Sequence, residues 1–91
     1  MDPDALNLPA DLGIEKAAEL HALLAPYVDA PGPVALAASG VSRLHTAGLQ
    51  VLAAFVRTRA AAGRATVLQD PSTELRGAAA RLGLAAHLGL N

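Results

Sequence analysis

Val34-Ala35-Leu36-Ala37-Ala38-Ser39-Gly40-Val41-Ser42-Arg43-Leu44-His45-Thr46-Ala47-Gly48-Leu49-Gln50 is the stretch that decides the fold. Val34 to Ala38 is apolar without alternation, the pattern of a strand covered on both faces. Gly40 interrupts it. From about Ala47 to Ala62 the residues Leu49, Leu52, Ala53, Val56 and Ala60 recur at helical spacing. Gly63 stands where a C-terminal cap belongs, and Arg57 and Arg59 complement the helix dipole near that end. Thr46 falls where the helix begins, with the hydroxyl best placed for a partner to read or modify.

Upstream, Leu6-Asn7-Leu8 alternates as a short strand does and is ended by Pro9. Asp11 to Val28 then reads as a helix, with a stripe of Ile14, Ala17, Ala18, His21, Leu24, Ala25 and Val28. Asp11, Glu15 and Glu19 lie in its first half, where the dipole favours negative charge. Pro26 ends or bends it, because proline removes a donor and disfavours helix at the residue before. Asp29 to Pro33 is dense turn chemistry.

Downstream, Ala65 to Leu68 is a second apolar, partly β-branched strand. Asp70 and Pro71 read as N-cap and first position of a last helix, with Glu74 in its first turn. Leu75, Ala78, Ala79 and Leu82 give it a buried stripe, and Gly83 closes it. Ala85 to Asn91 is an apolar tail that must dock or be disordered. The order strand, helix, strand, helix, strand, helix implies an α/β domain: a small, mostly parallel sheet with helices packed beside it.

Composition bounds the function. Ninety-one residues suit a single domain, residues 1–91 with its core at about 6–90, built around one modest core. Much of the 53% hydrophobic content is alanine, and the aromatics are Tyr27 and Phe55 alone. Seven basic and eight acidic residues give a net charge of -1, so no basic surplus or stacking aromatics exist for nucleic acid. The acids gather before residue 30 and the cations mainly after residue 42. Without cysteine there is neither a disulfide framework nor thiolate chemistry. Met1-Asp2-Pro3-Asp4 has no basic and apolar regions of a signal peptide, and no apolar run is long enough to cross a bilayer. These features lead to the expectation of a soluble cytoplasmic domain with no membrane insertion.

Nothing in the sequence assembles an active site. Ser42, Ser72 and Thr73 have no recognisable base and orienting partner, so the chain is not expected to be an enzyme. His21 and His87 lack further ligands at metal spacing, so neither metal nor cofactor is expected. Ser39-Gly40 is not part of a glycine-rich phosphate-binding motif, which leaves nucleotide binding without motif support. Plain structural readings stand beside the functional ones. Thr46 can serve as an N-cap worth about 1 kcal/mol. His45 reads as an exposed loop residue, His21 as a partly buried packing residue, and Arg57, Arg59 and Arg64 as a solvated helix end.

With these segments in order, the chain resembles a STAS domain, from about Leu6 to Leu90. The resemblance is carried most by Val34 to Leu52, with Ser39-Gly40-Val41 and His45-Thr46-Ala47-Gly48-Leu49 in the family's sequence. Gly63, Ala65 to Leu68, Pro71-Ser72 and Leu82-Gly83-Leu84 match its later spacing. Family members usually carry Asp directly before the switch hydroxyl, and many carry another in the preceding strand. This chain has His45 and Ala37 there.

The resemblance implies regulated protein binding. In the anti-sigma-factor-antagonist branch, the hydroxyl at the position of Thr46 is phosphorylated by a serine kinase that is also the anti-sigma factor, and modification releases the partner. The contact surface implied here comprises Ser42, Arg43, His45, Thr46, Gly48 and Gln50. Within it, Gly48 would allow close backbone approach and His45 would tune the local charge. A second branch supplies the cytoplasmic STAS subunit of phospholipid-trafficking ABC transporters, packed on the ATPase, where Thr-Ala-Gly-Leu at 46–49 is common. Chemotaxis-associated STAS proteins, bound to signalling partners, are a third setting.

Overall fold

A computed structural model describes residues 5–90. Met1 to Asp4, Asn91 and the side chain of Ile14 lie outside the described residues, and with them the N-terminal leader reading. Eight principal elements follow in order: β1 (Leu6–Asn7), β2 (Asp11–Leu12), α1 (Ala17–Leu24), β3 (Val34–Ala37), β4 (Arg43–Leu44), α2 (Thr46–Ala61), β5 (Thr66–Gln69) and α3 (Thr73–Arg81). Single 3-10 turns, Ile14–Lys16 and Ala25–Tyr27, bracket α1.

The main sheet has the order β1-β3-β5 and all its pairs are parallel, with Leu36 of the central strand opposite Leu6 on one side and Leu68 on the other. Along β3, Val34 and Leu36 are buried, as is Ala38 just beyond, while Ala35 and Ala37 are half-buried. In β5, Val67 is 49% exposed. The sheet is therefore packed on one face and only partly covered on the other, against the expectation of a strand buried on both. The apolar run of β3 is explained by alanine, which tolerates a half-covered face.

The first helix is shorter than its sequence pattern. Asp11 and Leu12 form β2, which pairs in parallel with β4 in a separate two-stranded sheet, Asp11 opposite Arg43 and Leu12 opposite Leu44. The physical reason is that Leu12 is fully buried and Gly13 follows it. The Gly13 N–H donates to the Asp11 carboxylate at 2.8 Å, a local turn that competes with helix. Pro26 lies in the 3-10 turn that ends α1, as expected.

One more boundary moved. The N-cap of α3 is Ser72, whose hydroxyl oxygen accepts from Leu75 N–H at 3.1 Å, so the helix starts at Thr73. Asp70 instead takes a positive φ of 50°, a left-handed conformation that Asp tolerates better than most residues. Gly63 caps α2 as expected, with φ of 76° and its N–H donating to Ala60 O at 2.9 Å. The C-terminal segment docks: Leu88 is 4% exposed and joins the core formed by Leu12, Leu20, Leu36, Leu49, Leu52 and Leu75 among others.

Arg59 departs furthest from expectation. It is fully buried rather than solvated. Its Nε donates to Thr66 Oγ1 at 2.9 Å. Its terminal nitrogens donate to the carbonyls of Tyr27 at 2.8 Å, Val28 at 3.4 Å, Ala30 at 3.0 Å, Gly32 at 2.6 Å and Ala65 at 3.0 Å. One guanidinium thus ties α2 to the loop after α1 and to the start of β5. Its desolvation is offset by carbonyl dipoles, with no carboxylate among these partners. Phe55 lies beneath, with the ring centroid 5.9 Å from Cζ.

Candidate functional site at the start of the second helix

The start of α2 is held by a strand that the sequence conceals. The His45 N–H donates to Leu12 O at 3.1 Å, and the N–H groups of Ser42 and Arg43 donate to Ala10 O at 2.9 and 3.1 Å. Residues 10–12 therefore fix the backbone of 42–45 before the helix begins. Gly48 is buried against the same brace: a Cβ there would collide with the Leu12 carbonyl oxygen and lie 3.1 Å from its carbon. The close approach expected at Gly48 is therefore made within this chain, to Leu12.

The N-cap is His45, with extended backbone (φ -131°, ψ 155°) and Nδ1 accepting from Ala47 N–H at 3.3 Å. Thr46 is the first helical residue and is exposed. The capping role open to Thr46 in the sequence thus belongs to its neighbour. No side-chain hydrogen bond engages the Thr46 hydroxyl among the described residues, and α2 has no acid in its first turn. With Nδ1 accepting, the imidazole carries its hydrogen on Nε2 and has no spare lone pair to act as base on Thr46. The hydroxyl is open to a partner and is not activated by this chain.

Ser42, Arg43, His45, Thr46 and Gln50 are all exposed. Ser42 Oγ reaches Ala10 O only at 3.5 Å, so the hydroxyl stays available. Hollows flank the helix start on either side. One, of about 490 Å³, opens along α1 and α2 and is lined by apolar Leu24, Val28, Val51 and Phe55 with His21 and Gln50. His21 is exposed on this groove and not packed in the core as its place on the apolar stripe suggested. The other, of about 150 Å³, lies between the start of α2 and the end of α3, where Thr46 and His45 meet Arg81 and Leu82.

Sequence reasoning missed Leu12, Arg81 and Leu82 as parts of this region. Leu12 was hidden by an acid-rich segment with helical spacing. Arg81 and Leu82 are 35 and 36 positions from Thr46, and only the docking of α3 against β4 brings them near. Among the described residues no three His, Cys, Asp or Glu gather as a metal site, and no helix is long and apolar enough to cross a membrane.

A family model described as "Mlab, STAS domain" matches residues 1–90 of the chain. No curated protein and no solved structure matches it.

Proposed function

The chain belongs to the STAS domain family, and from that membership we propose that it is a regulated protein-binding module switched at Thr46. Domains of this family are in general regulatory or binding modules that interact with protein partners and are not enzymes. The observation that carries the reading is the exposed Thr46 hydroxyl, at the first position of the longest helix, beside exposed Ser42, Arg43, His45 and Gln50. Gly48 supports this surface from behind by letting Leu12 brace it.

Phosphorylation of Thr46 by a partner serine kinase, acting as anti-sigma factor, or by a related signalling protein would add roughly -1.5 to -2 charges. A helix N-terminus favours such charge, so the fold survives modification. The surface does not stay the same. Arg43 and Arg81 give the region a positive surplus that one phosphate cancels. The partner then loses both its charge match and a hydroxyl contact, and it is released without unfolding.

Intact mass of the protein from its native host tests the modification, with a satellite about 80 Da above the unmodified mass as the expected result. Capture of partners with wild type and Thr46→Asp tests the switch. Recovery of a kinase or chemotaxis signalling protein by wild type alone is expected. A second reading rests on Thr46-Ala47-Gly48-Leu49, through which the chain resembles the STAS subunit of phospholipid-trafficking ABC transporters. It predicts capture of a transport ATPase and no phosphorylated form.

A further inference from the structure

We propose that the hollow between the start of α2 and the end of α3 is a notch for an acidic side chain of the protein partner, with Arg81 as its ion partner. This rests on the partner-binding reading of the Thr46 surface and names the chemistry of what that surface takes.

Size limits the occupant first. The hollow, of about 150 Å³, is open to solvent and has room for a single inserted side chain. Charge then selects it. Arg81 lines the hollow and no acid does. The first turn of α2 adds none, and its N–H groups carry partial positive charge. Exposed Arg43 lies on β4, against which α3 packs. The ion pairs among the described residues are Lys16–Glu19 and Arg64–Asp29, so neither Arg43 nor Arg81 forms one; Asp11 stands opposite Arg43 across the β2–β4 pair, which leaves Arg81 as the cation the notch offers.

The walls refine the choice. Leu44, Leu49 and Ala78 line the notch, and Leu82 beside Arg81 is 43% exposed, one of the few large apolar side chains left in water. The Arg81 guanidinium lies along its own helix, with one terminal nitrogen over Gly77, and a carboxylate in the notch would draw it across to grip both oxygens. An apolar neighbour in the partner's sequence then covers Leu82. The Nε2–H of His45 is a further donor at the same wall. The fitting partner segment is therefore a Glu or Asp flanked by leucine-like residues. A phosphate on Thr46, which lines the same notch, would compete for the same cation.

The test uses the full chain, ¹⁵N-labelled and titrated at low salt with the peptide acetyl-Leu-Glu-Leu-Glu-Leu-amide at millimolar concentration. Amide shifts centred on Thr46, Arg81 and Leu82 are expected, fading at high salt because the pair is solvent-exposed. Arg81→Gln should weaken apparent binding about five-fold, the upper end for an exposed ion pair, with the remaining spectrum unchanged. The same peptide with Gln for Glu should give no shifts at the notch. Equal shifts from the Gln peptide, equal binding by Arg81→Gln, shifts elsewhere or no shifts would each overturn the proposal. So would inorganic phosphate giving the same pattern, since the notch would then read charge alone. Release of the captured partner by Thr46→Asp is read separately, so the notch can fail while the partner-binding reading stands.

Discussion

Arg59 shows how far a single residue can depart from what its neighbours in sequence suggest. Near the end of an amphipathic helix, beside Arg57 and Arg64, it reads as one more solvated cation. It is instead fully buried, donating to five carbonyls and a threonine hydroxyl. Removing it takes a donor from each of those acceptors. The Tyr27 and Ala65 carbonyls keep the N–H groups of Ala30 and Val34, while the others lose their side-chain donor, and unsatisfied buried groups cost more than the bonds contribute when made. Arg59→Met is therefore expected to destabilise by on the order of 3 kcal/mol, read as a lower denaturant midpoint at unchanged slope. Arg59→Lys should recover only part, because an ammonium has three donors and no planar fork. Arg57→Met on the exposed face should fall within about 0.5 kcal/mol of wild type. No local signal marks Arg59, since its acceptors lie 6 to 32 positions away. A carbonyl cage has no side-chain signature in sequence.

At the scale of the element, α2 was legible and its brace was not. Its span, its start at Thr46 and its glycine stop follow from periodicity and end chemistry that act within a few residues. Strands β3 and β5 were visible for the same reason, as four-residue apolar or β-branched runs between breakers. Two-residue strands carry almost no period: β1 was legible through Leu6-Asn7-Leu8 and the proline after it, whereas β2 and β4 have no such flanking pattern and are created by pairing between distant segments. Gly48 records that pairing as a glycine inside a helix, where intrinsic preference disfavours it. Gly48→Ala should cost about 1–3 kcal/mol through its collision with the Leu12 carbonyl, measured by thermal or chemical denaturation. Any loss of partner binding in that variant would follow from displacement of the helix start. The caps make a gentler prediction. Ser72→Ala should cost about 1 kcal/mol, whereas His45→Asp should stabilise by a few tenths or more through better capping and dipole compensation.

For the whole molecule, the fold class and family resemblance were legible because the order of elements survives small errors at their ends. The candidate surface was legible only in its contiguous part, Ser42 to Gln50. Its other wall, Arg81 and Leu82, comes from the packing of α3, and its rigidity comes from residues 10–12. In a molecule with a Cα radius of gyration of 11.8 Å, elements distant in sequence readily share a surface. The acids of the first third and the arginines of the last two-thirds leave the α2–α3 end with cations and few counter-charges. Partner binding there should weaken as salt rises, with the largest change between low and physiological ionic strength. Salt-independent binding would place the interface elsewhere.

Thr46 is proposed to control a binding surface without supporting the fold. This control is tested most directly by measuring the affinity of Thr46→Asp for the partner captured by wild type, alongside thermal melting of both proteins. The melting temperature should stay within about 4 °C of wild type, since the side chain is exposed and a helix start favours negative charge. The affinity should fall at least about tenfold, near 1.4 kcal/mol, from the altered charge of the surface. Unchanged affinity in a folded Thr46→Asp protein would contradict control by Thr46.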